Sequence, residues 1–156
     1  MTGEWRAATA ADAGPLADLE RDANLVALAH VFPADLPFPY DEVRQRWERT
    51  LAEPGATVEV VDGAGRLDAY VAHDGETLRH LAVHPGRWGE GLGADAVARA
   101  VARGAHRLWC LEANEQARRL YTRLGWRPSG LTGTAEWPPH PVEIEYVVPG
   151  ALRSPT

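Results

Sequence analysis

Leu16, Leu19, Ala23 and Val26 recur three or four residues apart with polar residues between them, and Leu28 follows. That period predicts a helix with one buried face, starting at Thr9 or Ala10-Ala11-Asp12, with Asp12 available as its cap, and running to about His30. Before it, Glu4-Trp5-Arg6-Ala7-Ala8 reads as a first strand. After it, Val31-Phe32-Pro33-Ala34-Asp35-Leu36-Pro37-Phe38-Pro39-Tyr40 holds three prolines and three aromatic residues, which predicts an ordered loop. Asp41 then caps a second helix that turns Val43, Trp47 and Leu51 inward.

The pattern changes to short apolar runs broken by glycine turns, the mark of an antiparallel meander. Residues 57–62 form a strand, Gly63-Ala64-Gly65 its turn, 66–73 the returning strand, Asp74-Gly75 a second turn and 77–83 a third strand. A helix follows over 94–103, ended by Gly104 as helices commonly are. Leu108-Trp109-Cys110-Leu111-Glu112-Ala113-Asn114 reads as a buried strand that runs into a short helix from Glu115. Trp126-Arg127-Pro128 and 142–148 are closing strands, separated by a long loop over 129–141 that carries Trp137-Pro138-Pro139-His140. This order predicts an α/β sandwich built on a mixed sheet flanked by helices.

Composition narrows the partners. A chain of 156 residues with 45% hydrophobic and 24% charged residues is long enough for one domain with a real core. No apolar run reaches the length of a membrane span, and the start lacks the charged-then-apolar plan of a signal peptide. A net charge of −6 argues against a nucleic-acid surface and agrees mildly with a cationic amine substrate. The one cysteine, Cys110, has no partner for an internal disulfide and fits a reducing cytoplasm. Abundant Ala, Arg, Gly and Trp with a single Met suggests a GC-rich bacterial genome.

Between the third strand and the next helix lies Val83-His84-Pro85-Gly86-Arg87-Trp88-Gly89-Glu90-Gly91-Leu92-Gly93-Ala94. A strand that turns through glycines into a helix start offers a row of free backbone N–H groups to an anion, so this segment is a candidate diphosphate cradle. About twenty residues on comes Asn114, then Glu115-Gln116-Ala117-Arg118-Arg119-Leu120-Tyr121-Thr122-Arg123-Leu124-Gly125-Trp126. Together, in this order and spacing, the two blocks resemble the GCN5-related N-acetyltransferase (GNAT) superfamily. Its acetyl-CoA motif is Arg/Gln-x-x-Gly-x-Gly/Ala, and its next motif is Asn, a short helix, then Leu-Tyr-x-x-x-Gly-Phe/Trp. The resemblance covers roughly residues 67–148. It implies residues 1–150 as a single acetyltransferase domain, with 151–156 as a flexible C-terminal tail. It also implies two parallel strands, 78–83 and 107–113, that splay apart to admit the thioester.

The resemblance further implies roles for single residues. The diphosphate of acetyl-CoA rests on the amides of Gly89, Gly91, Leu92, Gly93 and Ala94. Ala82 and Val83 pair with the pantetheine arm as an added strand. Asn114 and Ala117 contact the cofactor, and Asn114 also reads as a helix N-cap. Trp88 stands where the family carries Arg or Gln, a departure for which Arg87 is the substitute. Tyr121 matches the tyrosine that protonates the departing thiolate. A phenol near pKa 10 stays protonated at neutral pH and can serve in that way.

The base is less well marked. Its usual acidic slots fall on Thr77 and Trp109, which leaves His80, Glu112 and His84, or a water chain with no dedicated base. Acceptor specificity, by the same resemblance, belongs to the first two helices, their connection and the loop before the last strand. Phe32, Phe38, Tyr40, Trp47 and Trp137 lie there, with Asp35, Asp41 and Glu136 available to a cation. These residues imply a cytoplasmic N-acetyltransferase acting on the primary amine of a small molecule. They call for no metal, nucleic acid or membrane and admit a homodimer. Competing readings are a non-catalytic acyl-CoA sensor and a protein N-acetyltransferase.

Overall fold

The computed structural model describes residues 4–148; the expected tail lies outside them. Seven strands and four helices follow one another as β1 (Trp5–Ala7), α1 (Ala13–Ala27), α2 (Tyr40–Ala52), β2 (Thr57–Asp62), β3 (Leu67–His73), β4 (Thr77–Val83), α3 (Leu92–Ala102), β5 (Arg107–Leu111), α4 (Glu115–Arg123), β6 (Arg127–Thr134) and β7 (Val142–Val147). They build one mixed sheet in the order β1-β2-β3-β4-β5-β7-β6. Only the β4–β5 pair is parallel, because the α3 crossover between them carries the chain back to the starting edge.

The helices divide between the two faces. Leu16, Ala17, Val43 and Trp47 of α1 and α2 pack on Val58, Val60, Tyr70 and Ala72 of β2 and β3. On the other face Ala96, Val97 and Ala100 of α3 and Tyr121 of α4 pack with Val71, Leu108, Cys110 and Tyr146. Alternation along β3 thus sends neighbouring side chains into two different cores, which is why its seven residues are all buried.

β4 and β5 pair only at Thr77–Arg107 and Leu78–Leu108, then part. The separation begins where Arg79 bulges out of β4, since Ala72 pairs with His80 and His73 with Leu78. The guanidinium of Arg79 holds Glu53 and Asp74 and fixes this bulge. The expected splaying is therefore present, with its second strand ending at Leu111.

Several local expectations are corrected. Asp12 does not cap α1; its carboxylate accepts the Thr9 amide at 2.7 Å and bridges to Arg6 at 3.0 Å. α1 stops at Ala27, and Val26 is exposed, off the side of the helix that carries the buried Ala23 and the cleft-lining Ala27. Pro39, not Asp41, precedes α2. α3 begins two residues before the expected Ala94, on the left-handed Gly91. Trp109 is 40% exposed and does not join Cys110 in the core, because neither α1 nor α2 covers that part of the sheet. Residues 129–134 continue β6 instead of opening a long loop.

Candidate active site

Beyond Val83 the chain turns through residues 84–91 into α3. The His84 ring shapes this turn, its Nδ1 accepting the Gly86 amide at 3.0 Å. Gly89 and Gly91 have φ of 83° and 87°, left-handed values at which any side chain would be strained. A Cβ on Gly89 would meet nothing within 4 Å, so the space above the turn is open. The first amides of α3, on Leu92, Gly93 and Ala94, have no carbonyl one turn back, and no side chain caps them. Gly93 serves a different end. A Cβ there would come 3.2 Å from Leu120 Cδ2, so its bareness lets α3 close on α4.

Two side chains hold the turn from below. The Trp88 indole donates to the Val83 carbonyl at 2.8 Å. Arg87 is gripped by Asp68 and Glu90. Asp68 is the unopposed residue of a bulge in β3, and Gly63 leaves room for it: a Cβ at 63 would lie 2.1 Å from Asp68 Oδ1. Arg87 thus anchors the cradle through a residue nineteen positions away, a link with no signal in the sequence.

The free edge of β4 forms one wall. The His84 amide donates to Asp68 O at 2.8 Å, so alternation turns the backbone of Ala82 toward β3 as well. Leu81 and Val83 therefore present their N–H and C=O groups to the gap, with the Val83 carbonyl already taken by Trp88. Of the two expected pairing residues, Ala82 lines the gap with its side chain only. Leu81 presents its backbone there instead, an orientation set by the pairing with β3 and not by the local sequence.

α4 forms the opposite wall. Asn114 caps it, Oδ1 accepting the Ala117 amide at 3.1 Å and leaving Nδ2 free to donate. Tyr121 sits at the base of the gap, 6% exposed, its ring against Trp126 and Tyr146 at centroid distances of 6.0 and 5.9 Å. Its hydroxyl has no hydrogen-bond partner among the described residues. Burial, with the Cys110 sulfur nearby, pushes that phenol well above its usual pKa.

These walls enclose a cleft of about 660 Å³ that reaches Asn24 and Tyr70 on the α1 side and Arg119 and Arg123 of α4 at its rim. A second cavity of about 510 Å³ adjoins it through Asn24, roofed by the α1–α2 connection and by Trp137. Of the five aromatics assigned to specificity, Phe32, Phe38 and Trp137 line this cavity, whereas Trp47 is fully buried and Tyr40 bonds Asp18 at 2.8 Å. The acids differ from those expected: Glu20 and Glu42 border the cavity, while Asp35, Asp41 and Glu136 do not.

Of the candidate bases, His84 spends its Nδ1 on the Gly86 amide of the turn, and His80 and Glu112 lie apart from the cleft. His80 packs on Trp47 at 5.2 Å between ring centroids, and burial, aided by Arg46 and Arg79, lowers its pKa to about 3. Glu112 is exposed and lines neither cavity.

The chain matches the family model for the acetyltransferase (GNAT) domain over residues 50–128. It belongs to the GNAT family. No curated protein matches it. Among solved structures it is similar to apo YjaB of Escherichia coli, with a TM-score of 0.75 and 18% identity over 97% of this chain and 100% of that one. It is also similar to the PaiA N-acetyltransferase of Thermoplasma acidophilum in complex with coenzyme A (TM-score 0.69, 12% identity, 93% and 98% covered). A variant of the spermidine N-acetyltransferase SpeG from Vibrio cholerae follows at TM-score 0.62 and 16% identity, with 93% and 94% covered. These structural likenesses show the GNAT fold, and family membership makes the chain an acetyl-CoA-dependent acetyltransferase. The cradle fits that donor: free helix amides, an open space over Gly89 and the two arginines Arg119 and Arg123 along the cleft suit a phosphate-bearing ligand.

Proposed function

We propose that this GNAT protein acetylates the primary amine of a small molecule, which attacks directly within a ternary complex. The observation that carries the reading is the Tyr121 hydroxyl. The ring is buried, and the hydroxyl, without a hydrogen-bond partner among the described residues, stands at the base of a cleft that opens onto a second, apolar cavity.

Bound acetyl-CoA supplies the activated acyl carbon and the thiolate that departs as the C–N bond forms. The amides of Gly91 to Ala94, with Arg119 and Arg123 at the rim, hold the phosphates, and Arg87 keeps the turn in shape. Leu81 and the Val83 N–H pair with the pantetheine amides, and Asn114 Nδ2 donates to the same arm. Tyr121 donates its proton to the thiolate. Its raised pKa keeps that proton in place throughout the neutral range. The amine's own proton leaves through water, because an imidazole whose pKa is about 3 is too weak to take it from an ammonium group. One buried thiol and an acidic balance support a reducing, cytoplasmic setting. The outer edge of β6 is open to a second copy in a homodimer.

The test combines titration of acetyl-CoA with thiol release on a panel of primary amines. Micromolar acetyl-CoA binding is expected, with turnover that falls about 10²–10⁴-fold in Tyr121→Phe while the acetyl-CoA affinity stays near wild type. Wild-type binding without turnover of any amine would instead favour the sensor reading.

A further inference from the structure

The second cavity has no part in holding acetyl-CoA, and its lining is one-sided in chemistry. α1 contributes Leu25, and the connection to α2 contributes Leu28, Phe32, Pro37 and Phe38, with Trp137 closing the far side. At about 510 Å³ it falls within the range of small-molecule sites.

Charge is scarce and mostly spent. Glu20 is held by Arg46 and by the Trp47 indole at 3.0 Å. Arg21 is tied to Asp22 at 3.1 Å and Asp18 at 3.7 Å. Glu42 alone among the charged groups of this lining has no ion-pair partner among the described residues. At the mouth shared with the cofactor cleft stands Asn24, whose side-chain amide is likewise unpartnered and can orient an amine.

We infer that the acceptor is a monoamine on a flat or branched apolar body, of the arylalkylamine class. Its body fills the cavity under Phe32 and Trp137 while the nitrogen reaches past Asn24 toward the cleft. This inference rests on the acetyl-transfer reading above and adds the substrate class to it. A polyamine is the wrong occupant. Its second and third ammonium groups would lie against proline and phenylalanine with one free carboxylate between them, and burying an unpaired charge is far costlier than burying a ring.

The experiment measures thiol release from acetyl-CoA with 2-phenylethylamine, tryptamine, ethylamine and spermidine as acceptors. Wild type, Ala29→Trp and Phe32→Ala are compared. Ala29 is exposed and borders the cavity, so an added indole there is expected to narrow it without removing any core packing. Acetyl-CoA titration of each protein serves as the control for folding and for the cofactor cleft. We expect kcat/KM for the aryl amines to exceed those for ethylamine and spermidine by at least about 10-fold. That preference is expected to disappear in Ala29→Trp and weaken in Phe32→Ala. Equal or better use of spermidine, an aryl preference that survives both variants, or acetyl-CoA binding with no aryl-amine turnover would each overturn the inference. Absence of acetyl-CoA binding would bring down the acetyl-transfer reading as well.

Discussion

Trp88 and Cys110 show how position in the fold sets a side chain's use. The family slot at 88 calls for a polar side chain, and the indole fills part of that need by donating one hydrogen bond to the end of β4. Trp88→Phe keeps the ring and removes the donor. A net hydrogen bond of about 0.5–1.5 kcal/mol predicts acetyl-CoA affinity weakened by roughly 2- to 10-fold, measurable by titration. Cys110 sits beside Tyr121 in the core, and burial pushes its thiol up to about 12. Native protein at pH 8 is therefore expected to resist iodoacetamide, with one modified thiol appearing only after denaturation; rapid native labelling would contradict this burial.

α4 is expected to do two jobs through one residue. Asn114 caps the helix with its oxygen and offers its nitrogen to the cleft. Asn114→Ala should cost about 0.5–2 kcal/mol in chemical denaturation and weaken acetyl-CoA binding. Asn114→Ser keeps a capping oxygen but lacks the amide, so most of the stability should return and the affinity should not. Recovery of both would reduce the residue to a cap. Most elements here were legible in advance: the bounds of β2 and β4 agree with the alternation and the flanking turns. β6 was missed beyond Pro128 because Ser-Gly-Leu-Thr-Gly-Thr, exposed on the outer edge of the sheet, has no buried face to impose a period.

Taken together, the titratable groups make the fold labile in acid. His73 is 1% exposed, and neither ring nitrogen has a partner among the described residues. Burial holds its pKa below the ordinary 6.5. As pH falls below that value the unfolded chain gains a proton that the folded one resists, so stability declines; His80, lowered to about 3, acts in the same direction. Asp12 and Asp62, held below 3.8 chiefly by Arg6, add a further loss only as pH falls below the ordinary carboxylate value. The melting temperature should therefore drop between pH 7 and 5. His73→Leu should flatten part of that drop, and an unchanged slope would show that the ring is protonated at little cost in the fold.

Periodicity and glycine turns are local, and the chain by itself was enough to determine the α/β order, the glycine turn that leads into α3 and the Asn114 cap of α4. Other properties depend on neighbours distant in sequence. Which β4 groups face the gap depends on pairing with β3; the grip on Arg87 depends on a bulge that presents Asp68; the lowered basicity of His80 depends on burial against Trp47 and on two arginines. The apolar cavity is likewise made of α1, its following loop and Trp137, brought together only by folding. Local spacing specifies what a segment can do, whereas desolvation and pairing, which require a packed surround, specify what each side chain is left free to do.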